Sequence, residues 1–274
     1  VKYLLNNVGV GAGTSQTNVF NTLYSVKFAD SQGAETTETS GSEFSSVNGN
    51  AQWIFKTIPT LSAVDLTNST LVNGQASDLY KFTVSAASNG NVTVKQFKLT
   101  TSWSDGGSGD TLEVESLKIY KNGSDITSSV TIVDELGNVV SDTTGIVDAT
   151  PSTKVIVTWT TEDTISAGET VTYTVRGTPT GFRTVGGDTT GDSVSFFLAQ
   201  DASSNGTSVY LNDETDIAGG QSEIMELFTS AAASSSDGTA AEFIWSDISA
   251  GSHTSDANAS STGDWHNGFL VKNL

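Results

Sequence analysis

Between Leu61 and Ala199 the chain is a succession of short segments that show either apolar–polar alternation or a short β-branched run, and this pattern restricts it to an all-β fold. Successive side chains of a strand point to opposite faces, so a period of two buries one face of a sheet and wets the other. The segments are Leu61 to Leu66, Leu79 to Ser85, Val92 to Leu99, Leu112 to Tyr120, Val130 to Asp134, Val155 to Thr160, Val171 to Arg176 and Val194 to Ala199. Between them stand Ser88-Asn89-Gly90, Lys121-Asn122-Gly123, Leu136-Gly137-Asn138 and Ser166-Ala167-Gly168, rich in residues that bond their own backbone or reach positive φ. Strands at this spacing, with no helical period between them, predict antiparallel Ig-like β-sandwich modules rather than a βαβ sheet. The expected core is Phe82, Val84, Phe97, Leu99, Ile119, Val155, Val157, Trp159, Tyr173 and Val175.

The flanks are less regular. Val1 to Gly13 carries apolar residues and no acid before running into glycines, which reads as an extended arm. Tyr24 to Phe28 alternates, and a polar loop from Asp30 to Asn50 is expected to lead into a second strand at Trp53-Ile54-Phe55. Residues 1–57 therefore read as an arm with strands that join the β assembly, and 58–205 as the sandwich, with the boundary near Pro59. Residues 206–274 read as a C-terminal β segment that closes the sheet or forms a small second β module. Within it, Glu223 to Phe228 reads equally as a helical turn capped by Ser222 or as a strand. Phe243 to Asp247 and Gly268 to Val271 read as strands flanking a polar loop that holds both histidines.

Composition narrows the function. With 31 acidic against 12 basic residues the net charge is −19, so the surface repels phosphate backbones and anionic lipid headgroups. No segment approaches the roughly 20 apolar residues of a membrane-spanning helix, so neither nucleic acid nor membrane insertion is expected. The chain has no Cys, one Met and two His, little of the equipment that proton transfer, nucleophilic attack and soft-metal binding require. It is expected to be no enzyme. Richness in Ser, Thr and Gly, few Lys and Arg, and Val at position 1 point to an extracellular, cell-surface location, as in a chain freed of its leader or an excised fragment.

Calcium is the one cofactor these residue types suggest, because carboxylates on loops are the hard ligands it prefers. Three Asp-rich loops carry candidates: Asp105 and Asp110, Asp188 and Asp192, and Asp213 and Asp216. None has EF-hand spacing, and Asp and Gly also simply build turns. His253 and His266 share a loop with Asp256 and Asp264; with no Gly-x-Ser-x-Gly elbow and no His-Glu-x-x-His pair, they read as hydrogen-bonded turn histidines. Among the tryptophans, Trp159 and Trp245 lie in strand segments, whereas Trp103 and Trp265 lie in loop-rich surroundings and are candidates for stacking on surface glycans. Asn68-Ser69-Thr70, Asn91-Val92-Thr93, Asn122-Gly123-Ser124, Asn205-Gly206-Thr207 and Asn258-Ala259-Ser260 fit the N-glycosylation pattern, which a Ser/Thr-rich chain also produces by chance.

Two stretches carry a resemblance. Phe243-Ile244-Trp245-Ser246-Asp247, then His253, then Asp264-Trp265-His266-Asn267-Gly268-Phe269-Leu270-Val271-Lys272 resembles the C-terminal signature of large secreted surface proteins of bacterial candidate phyla, a FIWSD strand followed by a DWTNGYLVK strand. His266 stands where that family has Thr and Phe269 where it has Tyr. Asp78 to Ala86 with Val92, Lys95 and Phe97 resembles a sandwich strand pair of the same proteins. The resemblance implies a secreted structural or adhesive protein with no catalytic residues to carry over. The expectation is a self-polymerising subunit of a filament or S-layer-like assembly, with Val1, Tyr3, Leu5, Val8 and Val10 inserted at a sheet edge of the next copy. The alternative is a monomeric adhesin or carbohydrate-binding module of a larger surface protein.

Overall fold

A computed structural model describes residues 22–23, 25–39, 47–48, 55–106, 111–134, 137–143, 145–148, 154–182, 191–198, 243–249, 253, 264–267 and 270–271. Its strands are β1 (Thr22–Leu23), β2 (Ser25–Ala29), β3 (Glu35–Thr39), β4 (Val47–Asn48), β5 (Thr60–Ala63), β6 (Ser77–Ser85), β7 (Val92–Ser104), β8 (Glu113–Lys121) and β9 (Ser124–Asp125). After a 3₁₀ turn at Thr127–Ser129 follow β10 (Val130–Asp134), β11 (Ile146–Val147), β12 (Lys154–Ile165), β13 (Thr170–Thr180), β14 (Ser193–Leu198), β15 (Phe243–Ser246), β16 (Trp265–Asn267) and β17 (Leu270–Val271).

The chain is an all-β sandwich. One sheet has the order β10-β12-β7-β15-β16 with β14 also on β7, and the other β11-β8-β13-β6-β5-β17 with β9 on β8. All pairs are antiparallel except β17 with β5. The chain crosses between sheets from β6 to β7 and again from β12 to β13, so the pairs β6/β13 and β7/β12 interlock. Their facing side chains close the core: Phe97 and Trp159 from one sheet meet Phe82 and Tyr173 from the other, with ring centroids 5.2 Å apart for Phe82–Phe97, 5.5 Å for Phe97–Trp159 and 5.4 Å for Trp159–Tyr173. All ten expected core residues are buried.

Turn chemistry explains the connections. Asn122 and Gly123 stand at φ 49° and 83° between Lys121 and its partner Ser124, as a two-residue hairpin demands. Gly177 serves a different need, close approach. A Cβ there would lie 2.6 Å from Val114 Cγ1, 2.9 Å from Leu79 Cδ1 and 3.0 Å from Leu117 Cδ2. Gly177→Ala should therefore lower stability by about 1–3 kcal/mol through overpacking, read as a lowered urea midpoint with unchanged slope.

The polar stretch after Asp30 differs from expectation. Rather than a long loop, Glu35–Thr39 is β3, paired with β2 in an exposed hairpin. Asp30 Oδ1 accepts from the Gln32 and Ala34 amides at 2.8 and 2.9 Å and sets the turn. β3 reads Glu-Thr-Thr-Glu-Thr, so it has no apolar residue for a periodicity to register. Trp53, Ile54 and Glu223 to Phe228 lie outside the described residues, as do Val1, Tyr3, Leu5, Val8 and Val10.

Two features position the site. β14 and β15 lie end to end along the same side of β7: Ser193 to Leu198 oppose Ser104 to Leu99, and Phe243 to Ser246 oppose Phe97 to Thr93. On the other side of β7, Thr158 opposes Gln96 but Asp163 opposes Val94, so Trp159 to Glu162 face the single residue Lys95. This bulge bends β12 and re-aims its side chains. The Lys95 ammonium donates to the Thr160 carbonyl within it, at 3.2 Å.

Candidate functional site

The bulge and the connection leaving β15 meet in a cluster of charged side chains. Immediately after β15, Ile248 adopts φ 50°, a left-handed conformation that is costly for a β-branched residue. The Ile248 amide donates to Ser246 Oγ at 2.9 Å, and the Lys56 ammonium donates to the Ile248 carbonyl at 3.1 Å. Buried Asp247 accepts from the Lys56 amide at 2.9 Å and from the Ser249 hydroxyl. The turn is thus strapped to the segment before β5, where Phe55 also meets Trp245 at 6.0 Å.

Beyond this turn His253 is held by both ring nitrogens. Nδ1 lies 2.9 Å from Asp264 Oδ2 and Nε2 lies 3.1 Å from Glu162 Oε1. The imidazole is 13% exposed, Glu162 16% and Asp264 fully buried, so the three share a poorly hydrated space. Two carboxylates on opposite nitrogens are satisfied together only when both nitrogens carry protons. Consistent with this, the His253 pKa is raised, chiefly by the hydrogen bond to Asp264, against the lowering effect of burial, and further by the charges of Asp264 and Glu162. Trp265 covers the ring at 5.3 Å between centroids.

This geometry decides what the cluster can do. A general base needs a free nitrogen facing a substrate, and a metal needs its carboxylate and imidazole ligands converging on one point. Here the carboxylates lie on opposite edges of the ring, and the cluster ties the β12 bulge to the start of β16.

On the other side of the bulge, Asp163 Oδ1 lies 2.5 Å from the Lys121 ammonium, and the Tyr173 hydroxyl donates to Asp163 Oδ2. Lys121 closes β8 and Asp163 belongs to β12, so this pair links the two sheets. Burial, and then the Asp163 charge, hold the Tyr173 pKa well above its ordinary value. A cavity of about 380 Å³ opens beside the pair, lined among others by Lys121, Trp159, Glu162 and Asp163.

Of the Asp residues singled out in the sequence, Asp105 and Asp192 stand on segments that meet where β7 ends and β14 begins, the Gly106 amide donating to Asp192 Oδ1 at 3.0 Å. Asp110, Asp188, Asp213 and Asp216 lie outside the described residues. Among the described residues no three His, Asp or Glu side chains converge to hold a metal ion.

Trp103 and Trp265 do not form one platform. Trp103 lies near the end of β7, donates its indole N–H to Thr101 Oγ1 at 2.9 Å and stacks on Phe182 at 6.1 Å. Trp265 opposes Ser246, which opposes Thr93 at the start of β7. Ten residues of strand put them roughly 30 Å apart. Trp265 is also only 4% exposed, which corrects the expectation of an open ring: it begins a strand and is sealed by the His253 contact.

Lys121, Glu162, Asp163 and the Tyr173 hydroxyl belong to no catalytic or binding motif that the sequence displays. The available signal was the interruption of alternation by Glu162-Asp163 between the apolar residues Trp159 and Ile165. Comparison of the chain with protein-family models, curated proteins and solved structures finds no match.

Proposed function

We propose that this chain is a non-enzymatic structural subunit of a bacterial cell-surface filament or S-layer-like assembly that polymerises by strand addition at a sheet edge. The observation that carries this reading is β14. Among the described strands it is bonded on one side only, to β7, and it presents six residues without Pro, Lys or Arg. Phe197 on it is 42% exposed. Natural edges are normally blunted by charge, Pro or bulges, and an unblunted one is a template for another strand. A cavity of about 300 Å³ runs between β14 and β6, lined by Leu66, Leu71, Leu79, Tyr80, Val194 and Phe196 among others. Edge hydrogen bonds give an added strand affinity, and such a cavity accepts its alternate side chains.

The added strand in this reading is the apolar N-terminal arm of a neighbouring copy, with Val1, Tyr3, Leu5, Val8 and Val10 as its inserted side chains. Calcium belongs to the same reading as a ligand of the loops that carry Asp105 and Asp192, which flank the β14 edge. The surface location rests on the acidic, Cys-free composition and on the resemblance of the Phe243 to Lys272 segment to secreted surface proteins.

The test combines Phe197→Lys with removal of residues 1–12. Each change alone should abolish polymers in light scattering while leaving the β circular dichroism intact. Polymers that survive both changes would sink the edge reading, and saturable glycan binding by a monomer would point to an adhesive module instead.

A further inference from the structure

The Lys121–Asp163 pair has the arrangement of a reaction centre. The Nζ atom is 2.5 Å from Oδ1, the oxygen bonded to the carboxyl carbon, so nucleophile and electrophile are held side by side and proximity replaces an intermolecular encounter. The pair is only partly hydrated, at 25% and 15% side-chain exposure, against the wall made by Trp159 and Tyr173. Removing water from two opposed ions is costly, and desolvation of this kind favours a neutral linkage over separate charges. The Tyr173 hydroxyl, in a fully buried side chain, already donates to Oδ2, where negative charge develops when a nucleophile adds to the carboxyl carbon. Glu162 lines the same cavity; its Oε1 is fixed by His253, and its Oε2 is buried with no hydrogen-bond partner among the described residues.

We infer that Lys121 and Asp163 condense into an intramolecular isopeptide bond that staples the two sheets covalently. The ammonium first passes one proton to Oδ1 across their direct contact, and the lone pair this frees on Nζ attacks the Asp163 carboxyl carbon while Tyr173 stabilises the charge on Oδ2. Glu162 relays the second proton from Nζ to Oδ1, the C–Oδ1 bond breaks, and Oδ1 departs as water. Ammonium plus carboxylate give amide plus water, so no oxidant, cofactor or outside proton is needed. The link would close the chain between β8 and β12 in a protein that has no cysteine for a disulfide.

Intact mass under denaturing conditions tests this on the full chain. The expected mass is that of the sequence less one water, and a protease digest should yield a branched peptide joining the Lys121 and Asp163 segments. Lys121→Arg keeps the positive charge but should restore the full mass and lower the melting temperature; Tyr173→Phe should give a mixture that closes slowly. A wild-type chain at its full sequence mass after prolonged incubation in the folded state overturns the inference. So does loss of water without the branched peptide, because dehydration elsewhere would then be its source.

Discussion

Asp264→Ala should destabilise the folded chain by about 3–5 kcal/mol, the cost of breaking a buried ion pair and stranding its partner. Asp264 is fully buried and supplies the largest influence raising the His253 pKa. Without it the imidazolium keeps only Glu162, and the β12 bulge loses its tie to the start of β16. The wild type should also show a pH signature. The folded-state pKa of His253 is raised above its ordinary 6.5, so the stabilisation is fully present below that value and is lost as pH rises through the folded-state pKa. Urea unfolding on both sides of that window should show stability falling with pH in the wild type, and that slope should shrink in the variant, where the largest influence raising the pKa is gone. A loss under about 1 kcal/mol with no change in the pH profile would rank the cluster with ordinary surface ion pairs.

Trp245→Ala should cost about 3–5 kcal/mol by emptying a large, fully buried site. The position is unusually connected. β15 is held between β7 and β16, and Trp245 carries the Phe55 contact that helps fix the segment before β5. Emptying it should therefore loosen both the C-terminal strands and the start of the second sheet. Hydrogen exchange should show amides of β5 and β16 opening in the variant, alongside a lowered urea midpoint. A loss near the roughly 1 kcal/mol of an average substitution would mean that β15 is peripheral to the core.

The sandwich was legible where burial is one-sided. Segments such as Leu79 to Ser85 and Val171 to Arg176 alternate because one face meets the core, and they fall within β6 and β13. β7 was legible for a different reason, as a run of strand-forming residues between turn signals. From Val92 to Leu99 both of its faces are buried, including Lys95, Gln96 and Lys98, so alternation alone would have misjudged it. The β2–β3 hairpin was only half visible, because an exposed strand of Glu and Thr has no hydrophobic period.

The candidate site was legible in one residue and hidden in the rest. His253 as a hydrogen-bonded histidine followed from the lack of any catalytic motif around it, and Asp264 stood nearby in sequence. Glu162 could not be matched to it, because 91 positions separate the two and only the β12 bulge brings them together. The collinear placement of β14 and β15 was equally hidden: residues 199–242 lie between two segments that extend one edge of β7. No local rule links strands across such a gap; the free side of β7 does.

The measurement that bears most directly on the structural role is mass photometry with negative-stain microscopy of the purified chain, first in calcium and then in chelator. Strand addition at β14 predicts polymers, and ligands at the Asp105 and Asp192 loops predict that chelator shortens or dissolves them. A monodisperse monomer in both conditions would contradict the account.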